Sequence, residues 1–338
     1  MLRFAAIGLE HRHIYDLVAE LVAAGAQCAG YCPETTDPHV LKGFRDRFPQ
    51  LQAVERRRLI EDPSIDIVCC AAIPEDRAGI AIDAMRHGKD VLVDKPGVTS
   101  AADLAALRAC VTETGRIFSI CFSERFLVPA VQVAARLVAQ GEIGRVVQTT
   151  GLGPHRLNRA IRPAWFFKPR RFGGILVDIG SHQIDQFLFF TGAADAQIVA
   201  SSVANHAMPD VPDFEDFGEI LLRSGAASGF VRVDWFTPES LPTWGDGRLV
   251  LLGTEGYIEL RKYVDVAGRP GTDHVFVSNR AGTRHIDASA EPLNYFTRFL
   301  ADVHDRTQTA MAQSHVFTVC RLALEAQARA VCLSAPSR

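Results

Sequence analysis

The sequence predicts an α/β protein with two domains. The first, over residues 1–123, is a doubly wound parallel sheet, and the second, over residues 124–338, is an α+β domain with a large, mostly antiparallel open sheet. The length of 338 residues fits roughly two domains of about 150 residues each. Strand-like and helix-like segments alternate up to about residue 123, as in a parallel sheet, whereas hairpin turn signals follow beyond that point.

The elements of the first domain follow from apolar runs and stop signals. Residues 65–72 are apolar nearly throughout, which is typical of a parallel strand covered on both faces. Apolar residues at helical spacing over 13–24, stopped by Gly25, predict the first helix. The other predicted strands are 2–7, 27–31, 90–93 and 117–121, and the other helices are 40–48, 75–86 and 100–114. A ligand crevice is expected at the carboxyl ends of these strands.

The second domain is predicted to combine a few helices with many strands. Helices are expected at 128–140, 293–303 and 315–331, and a strand at 146–151. The segments 196–236 and 248–261 are rich in strands, with turn signals at 223–225 and 253–256. Hairpins fit this pattern better than βαβ units, so this sheet is expected to be mostly antiparallel.

Composition and charge exclude several classes of protein. Hydrophobic residues make up 48% of the chain and charged residues 22%, which excludes disorder as the main state. The net charge of −3 gives no overall attraction to nucleic acid or membranes. No apolar run reaches the roughly 18–20 residues that span a bilayer, and a cytoplasmic location is expected. The eight cysteines form no C-x-x-C pair, so free thiols rather than zinc ligands are expected.

The turn after the first strand, residues 8–13, occupies the place of a G-x-G-x-x-G phosphate-binding loop. Only Gly8 is present, and Glu10 and His13 stand at the positions of the other two glycines. A carboxylate repels phosphate unless it points away, while the helix N-terminus and the basic side chains attract it. A plain strand-to-helix turn is the alternative. A metal held by Glu10, His11 and His13 has poor ligand geometry, so no metal is expected.

Two further stretches carry residues suited to proton transfer. Lys95 closes a buried strand within Asp94-Lys95-Pro96, where a partly desolvated lysine is suited to share in proton transfer. An ordinary surface lysine is the alternative. Asp178 and His182 are four residues apart, so a helical turn puts both on one face and the carboxylate orients the imidazole. Helix capping is the alternative for this pair.

Residues 155–171 form a basic and aromatic stretch. Its members are His155, Arg156, Arg159, Arg162, Trp165, Phe166, Phe167, Lys168, Arg170 and Arg171. The stretch is open to three interpretations: a grip on a carboxylated or phosphorylated substrate, a subunit contact, or a solvated face. The negative net charge and the lack of a nucleic-acid-binding motif argue against a nucleic-acid partner.

The order of these motifs resembles the Gfo/Idh/MocA oxidoreductase family, which includes glucose–fructose oxidoreductase and inositol dehydrogenase. The resemblance rests on Lys95-Pro96 and on the Asp-x-Gly-x-His-x-x-Asp pattern within 173–185. Further matching stretches are 62–68, 84–92 and 121–126. The resemblance implies a Rossmann dinucleotide-binding domain over 1–123 and a substrate-binding and oligomerisation domain over 124–338.

The resemblance also implies NAD or NADP as cofactor and a sugar, polyol or related secondary alcohol or ketone as substrate. Lys95 would bond to the reacting oxygen, His182 would transfer the proton, and Asp178 would orient the pair. The predicted cofactor-binding residues are Gly8, Leu9, His11, Arg12, His13, Cys32, Ala72, Ile73, Asp94, Lys95 and Ser123. The predicted substrate-binding residues are Lys95, His155, Arg156, Trp165, Asp178 and His182. A homodimer or homotetramer is implied, with contacts through the strands around 218–234.

Three departures from the family's pattern leave alternatives open. The turn lacks two glycines, and Arg77 replaces the histidine of a Thr-Pro-x-x-x-His motif. Cys32 ends the second strand, where an acidic residue favours NAD and an arginine favours NADP, so the preference stays open. A binding or regulatory protein that has lost hydride transfer is the second hypothesis. A non-redox lyase or hydrolase with a tightly held cofactor is the third.

Overall fold

The computed structural model describes residues 1–333, which form two compact units. Unit 1 comprises Met1–Cys121, Arg170–Gly173 and Asn294–Cys320. Unit 2 comprises Phe122–Pro169, Gly174–Leu293 and the described residues from Arg321 onward. The predicted domain boundary after residue 123 stays a prediction, and residues 334–338 of the predicted second domain lie outside the described residues.

Helices and strands alternate regularly in the first third of the chain and less regularly afterwards. Up to residue 121 the elements are β1 (Arg3–Leu9), α1 (His13–Ala23), β2 (Gln27–Tyr31), α2 (Pro38–Arg47), α3 (Arg56–Glu61), β3 (Ile67–Ala71), α4 (Pro74–Arg86), β4 (Asp90–Asp94), α5 (Ala101–Thr114) and β5 (Phe118–Cys121). They are followed by α6 (Ser123–Phe126), α7 (Pro129–Ala139), β6 (Val146–Pro154), α8 (Pro169–Phe172), α9 (Ile175–Asp178), α10 (Gly180–Thr191), β7 (Gln197–Ala204), β8 (Phe217–Ser224), β9 (Ala227–Asp234), β10 (Arg248–Gly253), β11 (Gly256–Arg261), β12 (His274–Asn279), β13 (Gly282–Asp287), α11 (Tyr295–Asp305), α12 (Gln313–Arg329) and β14 (Val331–Cys332). Single turns of 3-10 helix lie at Arg159–Ile161 and Ala164–Phe167.

The sheet of unit 1 is parallel and doubly wound, as predicted. Its strand order is β2-β1-β3-β4-β5, so the chain leaves β1 in one direction and returns to add β3 on the other side. β1 continues through Gly8 to Leu9, two residues beyond the predicted end. The pairing with β3 shifts between Ile7 and Leu9, and Gly8 has the positive φ of +74° that this irregularity requires.

The outer edge of this sheet is covered by the late segment of unit 1. The side chain of Gln313 accepts from the backbone N–H of Phe118 at 3.1 Å and donates to its carbonyl at 2.7 Å. The hydroxyl groups of Tyr295 and Ser119 are 2.8 Å apart. The polar backbone of the edge strand β5 is thus paired by side chains, which blocks further strand addition there.

The sheet of unit 2 has nine strands and is mostly antiparallel, as predicted. The order is β13-β12-β11-β10-β6-β9-β8-β7-β14, with parallel pairing only between β6 and β9 and between β7 and β14 among the described strands. Apolar residues of α7 pack against β10, β11 and β12. Sequence analysis missed β12 and β13. The strand β13 is polar and mostly exposed and carries no apolar alternation.

Two expectations about the whole chain are met in the structure. Among residues 1–333, no helix combines the length and the apolar character that crossing a membrane requires. All eight cysteines lie within the described residues as thiols rather than disulfides, as predicted.

Candidate functional site

The turn between β1 and α1 is built around Gly8. A Cβ atom at this position would lie 2.5 Å from the Cβ of Ala72, and φ is +74°. Only glycine satisfies both conditions without strain. The close approach joins the ends of β1 and β3, and the N–H of Glu10 donates to the carbonyl of Ala71 at 3.2 Å.

The carboxylate of Glu10 is bound by the loop that follows β2. The N–H of Thr36 donates to Oε1 at 2.7 Å, and its hydroxyl donates to Oε2 at 2.6 Å. The hydroxyl of Thr35 donates to the carbonyl of Leu9 at 2.7 Å. Because this carboxylate is already bound within the chain, the conflict expected between it and a phosphate at this turn is reduced.

Arg77 fixes the segment that carries Lys95. Its guanidinium group is buried and donates to the carbonyls of Ala72 at 2.7 Å, Asp94 at 2.8 Å and Pro96 at 2.9 Å. It also donates to the carbonyl of Lys95. A buried cation needs such partners. By donating to these carbonyls, the guanidinium group holds the backbone of the turn after β4 in place. The arginine that departs from the family's histidine therefore has a definite structural task.

Asp94 connects Arg77 to two histidines of the β1–α1 turn. Its Oδ2 accepts from Nη2 of Arg77 at 3.1 Å, and its Oδ1 lies 2.9 Å from Nδ1 of His13. Nδ1 of His11 lies 3.8 Å from Oδ2. Burial raises the pKa of Asp94, but the charges of His13 and Arg77 outweigh it and hold the pKa well below its usual range. The carboxylate is therefore ionised at neutral pH.

The predicted cofactor-binding residues of unit 1 lie at the carboxyl ends of its strands. Lys95 follows β4 and is 7% exposed, so the surface-lysine alternative is wrong. Cys32 is buried after β2, and Ala72 and Ile73 link β3 to α4. Of the predicted set, only Ser123 lies in unit 2, where it begins α6.

Asp178 and His182 lie in two short consecutive helices of unit 2. Asp178 ends α9, and His182 is in the first turn of α10. Both are buried, and the N–H of His182 donates to the carbonyl of Ile179 at 3.1 Å. The ring of Phe122 meets the imidazole of His182 edge-on, with centroids 6.2 Å apart. A buried histidine in the first turn of a helix is a candidate for proton transfer.

Two glycines of β6 let α10 lie close to the sheet of unit 2. A Cβ at Gly151 would overlap the side chain of Gln183, and one at Gly153 would lie 3.1 Å from its Nε2. Gln183 is the immediate neighbour of His182. The two glycines of β6 therefore determine how close α10, which carries His182, lies to the sheet of unit 2.

A buried ion pair beside this helix was missed by sequence analysis. Oε2 of Glu124 accepts from Nζ of Lys262 at 2.7 Å and from Nε2 of Gln183 at 2.8 Å. Burial raises the pKa of Glu124, but Lys262, His182 and His155 outweigh it and hold the pKa well below its usual range. Only one sequence feature could have pointed to this ion pair, which is that Glu124 lies in the family-like stretch 121–126. No sequence pattern marks Lys262.

The family-like stretches 121–126 and 173–185 are joined by a second buried pair. Arg125 donates to both oxygens of Asp185, each at 2.7 Å. The guanidinium also lies 4.1 Å from the centroid of the Phe126 ring. This bidentate ion pair fixes α6 against α10. The last aspartate of the motif therefore has a structural role, which the sequence pattern alone did not reveal.

The basic stretch is largely paired. The ring of His155 packs against Trp244, with centroids 4.4 Å apart, and Trp165 is nearly buried. The partners of its arginines are the carbonyl of Pro238 for Arg156, Asp210 for Arg159, and Glu75 for Arg170 and Arg171. Most of these charges are therefore engaged within the chain. The substrate contacts of His155, Arg156 and Trp165 stay predictions.

Comparison with known proteins identifies the family. Residues 33–122 match a model described as an oxidoreductase family with an NAD-binding Rossmann fold. Residues 131–259 match the model of the GFO/IDH/MocA C-terminal domain. The two models thus match parts of both predicted domains.

Individual relatives agree with these models. The chain is 29% identical over 272 residues to scyllo-inositol 2-dehydrogenase (NAD(+)) of Bacillus subtilis (strain 168), covering 76% of this chain and 72% of that protein. A crystal structure from Erwinia carotovora atroseptica SCRI1043, provisionally assigned as an oxidoreductase, is 46% identical with a TM-score of 0.95, covering 99% of this chain and 100% of that one. Levoglucosan dehydrogenase in complex with NADH has a TM-score of 0.77 and covers 97% of both chains, but at 19% identity it shows the fold alone.

The chain belongs to the Gfo/Idh/MocA family of oxidoreductases, with an NAD-binding Rossmann domain. The predicted family, the predicted oxidoreductase class and a nicotinamide dinucleotide as cofactor are confirmed. The hypothesis of a non-catalytic binding protein gains no support, because the relatives named above are oxidoreductases.

Proposed function

We propose that the protein transfers a hydride between NAD or NADP and a sugar-like secondary alcohol or its ketone, using Lys95, Asp178 and His182. The observation that carries this proposal is the buried turn after β4, where Arg77 holds the backbone of Lys95. The bound nicotinamide supplies or accepts the hydride. The residues of this chain are left with two tasks, which are to orient the alcohol and to move its proton.

Each proposed catalytic residue has a separate task. Lys95 donates a hydrogen bond to the reacting oxygen and favours the charge that develops on it. His182 takes the proton in the oxidation and returns it in the reduction. Asp178 orients the substrate and the proton-transfer group. The burial of all three supports this assignment, since electrostatic interactions are stronger away from bulk water.

The cofactor is proposed to bind at the carboxyl ends of β1 to β4. The residues predicted above for this role would surround it, with the backbone of Gly8 and Leu9 at the phosphates. The hydrogen bonds from Thr36 to Glu10 support this, because they engage the carboxylate that would otherwise oppose phosphate binding.

A polyhydroxylated substrate is proposed from the names of the relatives. The Bacillus subtilis relative is a scyllo-inositol dehydrogenase, and a second relative, from Pseudarthrobacter phenanthrenivorans, is a levoglucosan dehydrogenase. His155, Arg156 and Trp165 are proposed to contact such a substrate. Indole and imidazole rings pack on the apolar faces of sugar rings, and a guanidinium group donates to hydroxyl groups.

A homodimer or homotetramer is proposed to form through the sheet of unit 2. Leu221 and Phe230 pair across β8 and β9 and are only partly buried, whereas Ile220 and Val231 on the opposite face are fully buried. Light scattering coupled to gel filtration tests this. A dimer or tetramer that becomes a monomer in Leu221→Lys supports the proposal, and a monomeric wild type contradicts it.

The first experiment is a titration of the purified protein with NADH and NADPH, each alone, following nicotinamide fluorescence. Binding of either, followed by turnover with an inositol or an anhydrosugar, supports the proposal. Lys95→Ala and His182→Ala should abolish turnover but keep the fold. Lys42→Ala and His39→Ala, which change exposed residues of the same types, are the controls. Undiminished turnover in both site variants would falsify the catalytic assignment.

A further inference from the structure

Two imidazoles and a carboxylate lie together at the turn between β1 and α1, and they are the basis of this inference. His11 and His13 come from the turn, and Asp94 comes from the end of β4. One candidate ligand atom from each of the three lies within 4.8 Å of the other two. The imidazole rings are 4.1 Å apart and nearly perpendicular. All three are among the predicted cofactor-binding residues, but the proposed hydride transfer uses no chemistry that requires two imidazoles and a carboxylate in contact.

The distances are close to those of a bound metal ion. A zinc ion with ligands at about 2.1 Å holds them roughly 3.4 Å apart in tetrahedral geometry. Nδ1 of His13 lies 2.9 Å from Oδ1 of Asp94, and Nδ1 of His11 lies 3.8 Å from its Oδ2, so the two nitrogens face different oxygens of one carboxylate. Nδ1 of His11 also accepts from the N–H of His13 at 3.3 Å, a long hydrogen bond that is lost at small cost. Rotation of the rings would bring one ligand atom from each residue to the tetrahedral spacing.

The carboxylate is held in place before any ion arrives. Nη2 of Arg77 donates to Oδ2 of Asp94 at 3.1 Å, and the same guanidinium group is fixed by backbone carbonyls. Such outer contacts orient ligands in metal sites. The charge of Arg77 also opposes a cation, so we expect weaker binding than at a purely structural zinc site. The side chains of His11 and His13 are 25% and 36% exposed, which leaves a path for an ion from solvent.

We propose that His11, His13 and Asp94 bind a divalent transition-metal ion of the zinc class. Two imidazoles, which lose any bound proton when they bind a metal ion, and a carboxylate are a ligand set that such ions prefer over magnesium or calcium. Three protein ligands leave a coordination position for water or for an oxygen of a bound molecule. Glu10, which sequence analysis paired with the two histidines, is bound by Thr36 instead, and Asp94 takes its place.

The test is a titration of the chelator-treated full chain with Zn²⁺ in a calorimeter and with Co²⁺ in a spectrophotometer, both without nucleotide. We expect one ion per chain and the visible absorption of Co²⁺ bound by nitrogen and oxygen. His11→Ala, His13→Ala and Asp94→Asn should each weaken binding by at least about tenfold. His39→Ala, which removes an exposed histidine of the same unit, should bind as the wild type does.

Three results would overturn the proposal: no binding to the wild type, equal binding in all three variants, or the charge-transfer absorption of a cysteine-bound Co²⁺. Should His13→Ala fail to fold, as judged by circular dichroism, His13→Gln keeps a polar side chain of similar reach and takes its place. The titration contains neither cofactor nor substrate. Failure of metal binding therefore leaves the proposed hydride transfer untouched, and failure of hydride transfer leaves this measurement unaffected.

Discussion

The buried pair of Glu124 and Lys262 makes one side chain of unit 2 costly to change. Lys262→Met leaves the carboxylate of Glu124 buried without its cation. We expect the free energy of unfolding, measured with urea, to fall by about 3–5 kcal/mol. Lys42→Met removes the exposed pair with Asp46 and should cost less than about 1 kcal/mol. Equal losses in the two variants would contradict the burial of the first pair.

The same pair has a pH signature. In the wild type the pKa of Glu124 is below its unfolded value. The contribution of Glu124 to the free energy of unfolding is therefore present at neutral pH and is lost only as the pH falls below the usual carboxyl range. In Lys262→Met burial dominates and raises that pKa, so stability is lost as pH rises through the raised value. The difference in the free energy of unfolding between the wild type and Lys262→Met should therefore become smaller as the pH falls from 7 to roughly 5. A gap that widens in urea titrations at the lower pH would refute this explanation.

Single residues also mark the limit of sequence-based prediction. Lys95 and His182 stand out in the sequence because they lie in short motifs, and their catalytic roles stay predictions. The partnership of Glu124 with Lys262 could not be predicted, because 138 residues separate them and only the folded sheet brings them together. Arg77 was noticed as a departure from a motif, but its task depends on carbonyl groups whose directions no sequence pattern specifies.

The β1–α1 turn depends on the close approach of two strand ends. In Gly8→Ala the new Cβ would meet Ala72 at 2.5 Å, in addition to the strain of a positive φ. Gly115→Ala is the matched control, since its φ is +64° and its Cβ would meet nothing within 4 Å. We expect Gly8→Ala to lose about 1–3 kcal/mol more stability than Gly115→Ala in urea unfolding. Equal losses would mean that the strand ends can separate freely.

The loop after β2 predicts a cofactor preference. Glu10 is bound to Thr36 in this loop, which follows the strand at whose end dinucleotide-binding domains recognise the ribose. A carboxylate there repels the 2′-phosphate of NADPH, so we expect NADH to bind more tightly in the fluorescence titration. Glu10→Gln should narrow the difference in affinity between NADH and NADPH, and Glu113→Gln, which changes an exposed glutamate of α5, should leave it unchanged. Tighter binding of NADPH by the wild type would contradict the prediction.

At the scale of elements, apolar patterning predicted most of the strands and helices. It succeeded for β2, whose predicted bounds are those observed, and for β3 and α4, whose buried faces are continuous. It failed for β13, which pairs through its backbone while most of its side chains are exposed. Periodicity reports burial, so a strand that buries little leaves no signal in the sequence.

At the scale of the whole molecule, packing controls the chemistry of the cysteines. Burial raises the pKa of Cys70 to about 11 and of Cys320 to about 12, and that of Cys69 well above its usual value. Cys332 is exposed. Because only the thiolate reacts, we expect iodoacetamide at neutral pH to label Cys332 first and the three buried thiols only after unfolding.

Peptide mass spectrometry of the labelled protein measures this order directly. Cys332→Ser should remove the fast phase of labelling and leave the slow phase unchanged. Labelling of Cys69, Cys70 and Cys320 in urea should then follow the unfolding of the segments that bury them, so one experiment reports on residues of β3 and α12 together. Rapid labelling of Cys320 or Cys69 in the native protein would mean that these segments open far more often than their burial implies.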